Sequence, residues 1–134
     1  MMKRLIFLSL MMVCSVSWAE WEVCTISDDG METYYCGKST IRKNGAISRM
    51  WELRNYSSMR TTSSGDRYMS AKVLNVYNCR EETKALISFA FYSGAMGEGN
   101  VVSSHTKKES EWNWEPIVPG STGETKWEIA CGKK

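Results

Sequence analysis

The sequence predicts an α+β domain: a single antiparallel β-sheet of about six strands with a C-terminal helix packed on it and two disulfides. Three observations predict it. Several stretches alternate apolar and polar residues and are rich in Val, Ile, Thr and aromatics, the strand pattern. One segment, close to the end, carries a helix-start signature. Four cysteines remain once an export leader is set aside, an even count that reads as two bridges in a small exported domain.

The leader is residues 1–19. Lys3 and Arg4 give it a positive start, and Leu5 to Val16 form an apolar run too short for a membrane anchor. Ser17-Trp18-Ala19 puts small residues where a signal peptidase reads, so the cut is expected between Ala19 and Glu20. Cys14 follows Val13, whereas lipidation favours a small residue there; membrane association would require that lipidation and is not expected. Cleavage leaves 115 residues, one domain spanning 20–134. It also removes Lys3 and Arg4, leaving 15 basic and 15 acidic residues. That balance lacks the basic excess of a nucleic-acid footprint.

The elements follow in order. Glu20 to Ser27 alternates and reads as a strand, Asp28-Asp29-Gly30 as a turn, and Thr33 to Gly37 as the returning strand. An odd-length loop, Asp28 to Glu32, sets Cys24 opposite Cys36, close enough for a bond. A two-residue Asp29-Gly30 loop sets Cys24 against Tyr35 instead, and the bond then needs a bulge. Asn44-Gly45 signals a second hairpin. A three-residue loop, Lys43 to Gly45, puts Ile41, Ile47, Trp51 and Leu53 on one buried side; a two-residue turn sets Ile41 against Ser48. Residues 57–66 are polar and read as a loop. Tyr68 to Asn78 and Ala85 to Tyr92 are strands joined by Arg80 to Lys84, with Val73 and Tyr77 beside Ile87, Phe89 and Phe91. Asn100 to Ser104 is a short strand and His105 to Glu111 a charged loop. Ser121 and Glu124 form a capping-box pair that opens a helix from Thr122 to Cys131. So short a helix needs packing or a tether, and a Cys79–Cys131 bond would supply both.

Catalytic constellations are not evident. A zinc site is disfavoured because no Cys-x-x-Cys pair exists and His105 is the one histidine. Gly94 to Gly99 is followed by strand-like Val101-Val102-Ser103 rather than a helix, so it reads as a turn or bulge and not a phosphate cradle. The carboxylate pairs Asp28/Asp29, Glu81/Glu82 and Glu109/Glu111 lie in turns and charged loops, without the cleft a glycosidase needs. No metal or cofactor is implied. Trp21, Trp51 and Trp127 are assigned to the core beneath the helix. Trp112 and Trp114 share one parity in the charged loop and are candidate contact residues. Arg60, Arg67 and Lys72 flank the polar loop and are candidates to meet an acidic partner, although such charges also guard strand edges against aggregation.

Four stretches then combine into a recognisable order: TYYCGKSTIRKNGAISRMWEL (33–53), GDRYMSAKVLNVYNC (65–79), FYSGAMGEGNVV (91–102) and WEPIVPGSTGETKWEIAC (114–131). The chain resembles the surface-adhesin protein E family of Gram-negative bacteria. The resemblance rests on Tyr34, Ile41, Arg42, Gly45, Trp51 and Leu53, on Tyr68, Ser70 and Cys79, on Gly97 and Gly99, and on Pro119, Gly120, Ser121 and Cys131. It implies an antiparallel sheet with the helix docked by Cys79–Cys131, an outer-surface or periplasmic location and, in some members, adhesion to host extracellular proteins. Cys24 and Cys36 are an additional pair beside the family pattern. The expectation is therefore an exported, non-enzymatic, adhesin-like binding protein. Its partner would be a host extracellular matrix protein or an envelope protein. The alternative is a periplasmic inhibitor of a cell-wall hydrolase or a structural envelope protein.

Overall fold

The computed structural model describes residues 21–133; the expected leader, its cut between Ala19 and Glu20, and Cys14 lie outside them. Eight strands run as β1 (Glu22–Ile26), β2 (Glu32–Cys36), β3 (Arg42–Asn44), β4 (Ile47–Thr61), β5 (Arg67–Asn78), β6 (Thr83–Tyr92), β7 (Val101–Thr106) and β8 (Glu115–Pro116), followed by helix α1 (Thr122–Cys131). All pair antiparallel in one sheet of order β1-β2-β4-β5-β6-β7. Two short strands extend it: β3 pairs with the start of β4, and β8 with the start of β6.

The helix packs on one face of the sheet. Cys36, Met50, Tyr77 and Cys79 meet Trp127, Ala130 and Cys131 there in a buried cluster. Ser121 caps the helix, its Oγ accepting from the Glu124 N–H at 3.2 Å, and Gly132 ends it in the left-handed conformation at φ 69°. The Cys79–Cys131 disulfide, Cα–Cα 5.6 Å, staples its last residue to the end of β5. Polar bonds add to the dock: Ser48 Oγ donates to the Ala130 carbonyl at 2.7 Å, and Trp127 Nε1 to the Asn78 carbonyl at 3.0 Å. Further along this face Tyr56, Ala71 and Val73 are buried beneath Tyr68, Phe89 and Phe91. The opposite face holds a cluster of Val76, Ala85 and Ile87 with Ile47, Leu74 and Trp112.

Several registers differ from the sequence expectation. Val23 pairs with Tyr35 and Thr25 with Tyr34, so Cys24 is the extra residue of a β-bulge and does not stand opposite Cys36, which faces Glu22. The bulge turns Cys24 toward the helix-side cluster, where it bonds Cys36 across 5.7 Å between Cα atoms. At the second hairpin Asn44 pairs with Ile47, making Gly45-Ala46 the loop, with Gly45 at φ 61°. The helix-side residues of β4 are therefore Ser48, Met50 and Glu52, all fully buried. Ile47, Trp51 and Leu53 share the opposite face as expected, with Leu53 fully buried there, but the shorter loop splits Ile41 from them and packs it against the helix-side cluster.

Half of the polar stretch 57–66 is strand: β4 continues to Thr61, and the turn is confined to 62–66 before β5 starts at Arg67. The β5–β6 connection is four residues, 79–82. Val73 faces Phe89 as expected, but Ile87 is bulged out between Leu86 and Ser88 and packs on the opposite face. His105 lies in β7 opposite Phe89, not in a loop. Of the tryptophans assigned beneath the helix, Trp127 is there; Trp21 and Trp51 line a hollow on the other face with Thr40 and Tyr92.

Candidate functional site

A concave surface lies on the face away from the helix. The β3–β4 hairpin sets Arg42 opposite Arg49 and Asn44 opposite Ile47. The segment after β7 crosses in front of it. A single 3-10 turn, Glu109–Glu111, is closed by the Lys108 N–H donating to Glu111 Oε1 at 3.3 Å, and the chain then extends through Trp112. Trp112 packs on the Val76–Ala85–Ile87 cluster and is seated by shape; its buried indole N–H has no hydrogen-bond partner among the described residues. Trp114 stands edge-on to it, ring centroids 6.2 Å apart and planes at 70°, and remains 39% exposed. The Arg49 guanidinium sits 5.3 Å from the centre of the Trp112 ring.

These residues enclose a groove of about 450 Å³ with Arg42, Lys43 and Glu109 at its sides. Arg42 is held in place, whereas the Lys43 ammonium turns to the helix side. Arg42 Nη1 donates to the Ser39 and Ile41 carbonyls at 3.1 and 2.9 Å, and Lys43 Nζ to the Cys131 carbonyl at 3.2 Å. Two cations, Arg42 and Arg49, against one carboxylate, around an exposed indole, suit an acidic segment that also offers an apolar side chain.

Behind the sheet sits a buried charge cluster. Glu52 is fully buried and accepts from Arg54 Nε at 3.1 Å, from Lys126 Nζ at 3.2 Å and from Asn75 Nδ2. Burial alone would raise the Glu52 pKa, but the Arg54 and Lys126 charges outweigh it and hold the carboxyl below its ordinary value. Lys126 is itself pushed below the usual ammonium value, chiefly by burial; the Glu52 charge opposes the shift, and the positive charges of Arg54 and Lys84 add to it. Its ammonium also lies 4.3 Å from the centre of the Tyr34 ring. The cluster ties α1 to β4 and β5.

A family model described as Surface-adhesin protein E matches residues 18–132. The chain belongs to the surface-adhesin protein E family. Solved structures agree on the fold. The selenomethionine form of Haemophilus influenzae protein E superposes with a TM-score of 0.60 at 14% identity, covering 84% of this chain and 85% of that one. A second crystal form of the same Haemophilus influenzae protein gives 0.58 at 16% identity, covering 74% and 80%. No curated protein matches the chain.

Within this adhesin-family fold the five residues expected to meet a partner separate into distinct places. Trp112 and Trp114 come together in the groove. Arg60 and Arg67 lie on the distant arm of the β4–β5 hairpin; Arg60 is bonded to Glu32 at 2.9 Å and stacks on Tyr56 at 4.8 Å. Lys72 is mid-strand, its Nζ 5.1 Å from the Tyr92 ring centre. The glycine-rich segment 94–99 folds as a turn docked on the sheet. Ser70 Oγ donates to the Gly94 carbonyl at 2.6 Å and accepts from the Gly97 N–H at 2.8 Å. Among the described residues no group of three or more His, Cys, Asp or Glu could hold a metal, and no helix is long and apolar enough to cross a membrane. Sequence reasoning missed Arg42 and Arg49, whose link to Trp112 is purely tertiary. It also missed the Glu52–Lys126 pair, because a lysine within a ten-residue helix reads as solvated. The alternation Ser48-Met50-Glu52 was the one available signal.

Proposed function

We propose that the protein is an exported, non-enzymatic binding module whose contact surface is the Trp112–Trp114 groove. In this reading residues 1–19 direct export and are removed before Glu20, and the domain 20–134 works in the periplasm or at the outer surface. Two disulfides suit that oxidising location. The observation that carries the proposal is an exposed Trp114 held against a packed Trp112 with Arg49 and Arg42 alongside, on a rigid sheet. Rigid aromatic and arginine anchors give binding energy at low ordering cost. Family membership supports an adhesin-like role, with a host extracellular matrix protein as the partner class.

A second reading, inhibition of a cell-wall hydrolase, draws on a different feature. β2 pairs β4 only as far as Tyr56, and β6 pairs β5 only from Ser70, so the hairpin between them projects beyond its neighbours. Such an arm could enter an enzyme cleft. The test is binding of oxidised residues 20–134 to immobilised matrix proteins, beside a muramidase clearing assay. The adhesin reading expects saturable binding at micromolar concentration and unimpeded clearing; absent binding with blocked clearing would reverse the assignment.

A further inference from the structure

We propose that a separate cavity on the helix side of the sheet binds a small tetrahedral oxyanion, phosphate or sulfate, free or as the monoester end of a larger molecule. The cavity measures about 240 Å³ and opens between β6 and the segment leading into β8. Arg54, Lys84 and Lys107 line it, with Asn75, Asn113 and Glu115. Three cations thus face one carboxylate. The Glu52 carboxylate behind them is shared between Arg54 at 3.1 Å and Lys126 at 3.2 Å, so with Lys126 included four cations stand against two carboxylates.

The cations are positioned rather than merely nearby. Arg54 uses Nε on Glu52, which fixes the plane of its guanidinium, while its Nη1 and Nη2 make no hydrogen bond among the described residues. A guanidinium fork held that way presents two parallel N–H donors, the geometry that suits an oxyanion. Lys84 and Lys107 have no ion-pair partner among the described residues. Lys84 reaches over the first turn of α1 through space that Gly123 leaves open: a Cβ there would lie 2.9 Å from Lys84 Nζ. Asn75 is 6% exposed and held by Glu52, so the floor is built and polar. Like charges gathered in a concave, partly dry site repel one another, and an anion relieves that repulsion. Because the cavity lies on the opposite face from the tryptophan groove, the inference stands apart from the adhesin reading.

The experiment titrates 15N-labelled, oxidised residues 20–134 with sodium phosphate against sodium chloride at matched ionic strength, followed by NMR. The expected result is saturating shifts at the Lys84, Lys107 and Asn113 amides and at Arg54 Nε–H, absent with chloride. Lys107→Met and Lys84→Met should each weaken phosphate binding about tenfold, Lys107→Arg should preserve it, and Arg67→Met on the distant arm should leave it unchanged. Lys107 follows β7 and takes no part in the α1 dock, so its variants stay informative if Lys84→Met disturbs the helix. A parallel titration with glucose 6-phosphate separates the sources: tighter binding than inorganic phosphate identifies a monoester ligand, and equal or weaker binding a free anion. Shifts that follow ionic strength alone, or saturation that survives Lys107→Met unaltered, would overturn the site.

Discussion

Glu52 shows how one side chain can organise a face of the molecule. It is wholly buried, and its cost is offset by Arg54, Lys126 and Asn75 together. Removing one member leaves the others charged and dry, which is more damaging than never having had them. Glu52→Ala is therefore expected to lower unfolding free energy by about 3–5 kcal/mol in urea titrations, far more than loss of the exposed Lys38–Glu22 pair. The pH dependence has a definite sign. The folded-state pKa of Glu52 lies below its ordinary value of 4.5, so the unfolded chain takes up this proton first as pH falls. The contribution is complete above pH 4.5 and is lost as pH drops through the folded value. Glu52→Gln should flatten that part of the acid limb in stability curves measured between neutral and acidic pH.

Among the elements, α1 depends most on what it touches. Ten residues are too few to hold a helix in water. It persists because Trp127, Ala130 and Cys131 are buried, Ser121 caps one end and a disulfide closes the other. The Cys79–Cys131 bond spans 52 residues, worth about 4 kcal/mol if it acts by restricting the unfolded chain. The double replacement Cys79→Ser with Cys131→Ser should lose stability of that order, and amide exchange should speed up first in 122–131 while β4 and β5 stay protected. Ser121→Ala should cost about 1 kcal/mol and act on the same segment.

At the scale of the whole molecule, what could be read in the sequence divides along physical lines. The helix start was legible because capping chemistry is local, with Ser121 and Glu124 marking it, while the Gly132 cap that ends the last turn came from the structure. Strand existence was legible from alternation, but which side faces the helix was not, since Ser48 and Glu52 disguise a buried row as a solvated one. The arm at 57–66 was misread because polar residues in a projecting hairpin need no core to pair. Trp112 and Trp114 stood out as a pair, whereas Arg49 joins them only through the β3–β4 register, which depends on where the Gly45-Ala46 turn falls. Arg60 and Arg67 were singled out as flanks of the polar stretch, and eleven positions of extended β4, roughly 35 Å, separate Arg49 from Arg60. That separation allows a direct comparison of the two ends. The affinity of oxidised residues 20–134 for an immobilised matrix protein should be measured beside Trp114→Ala in the groove and Arg67→Ala on the arm. The groove account predicts a loss of at least about tenfold for Trp114→Ala and no change for Arg67→Ala; full affinity in Trp114→Ala with loss in Arg67→Ala would contradict it.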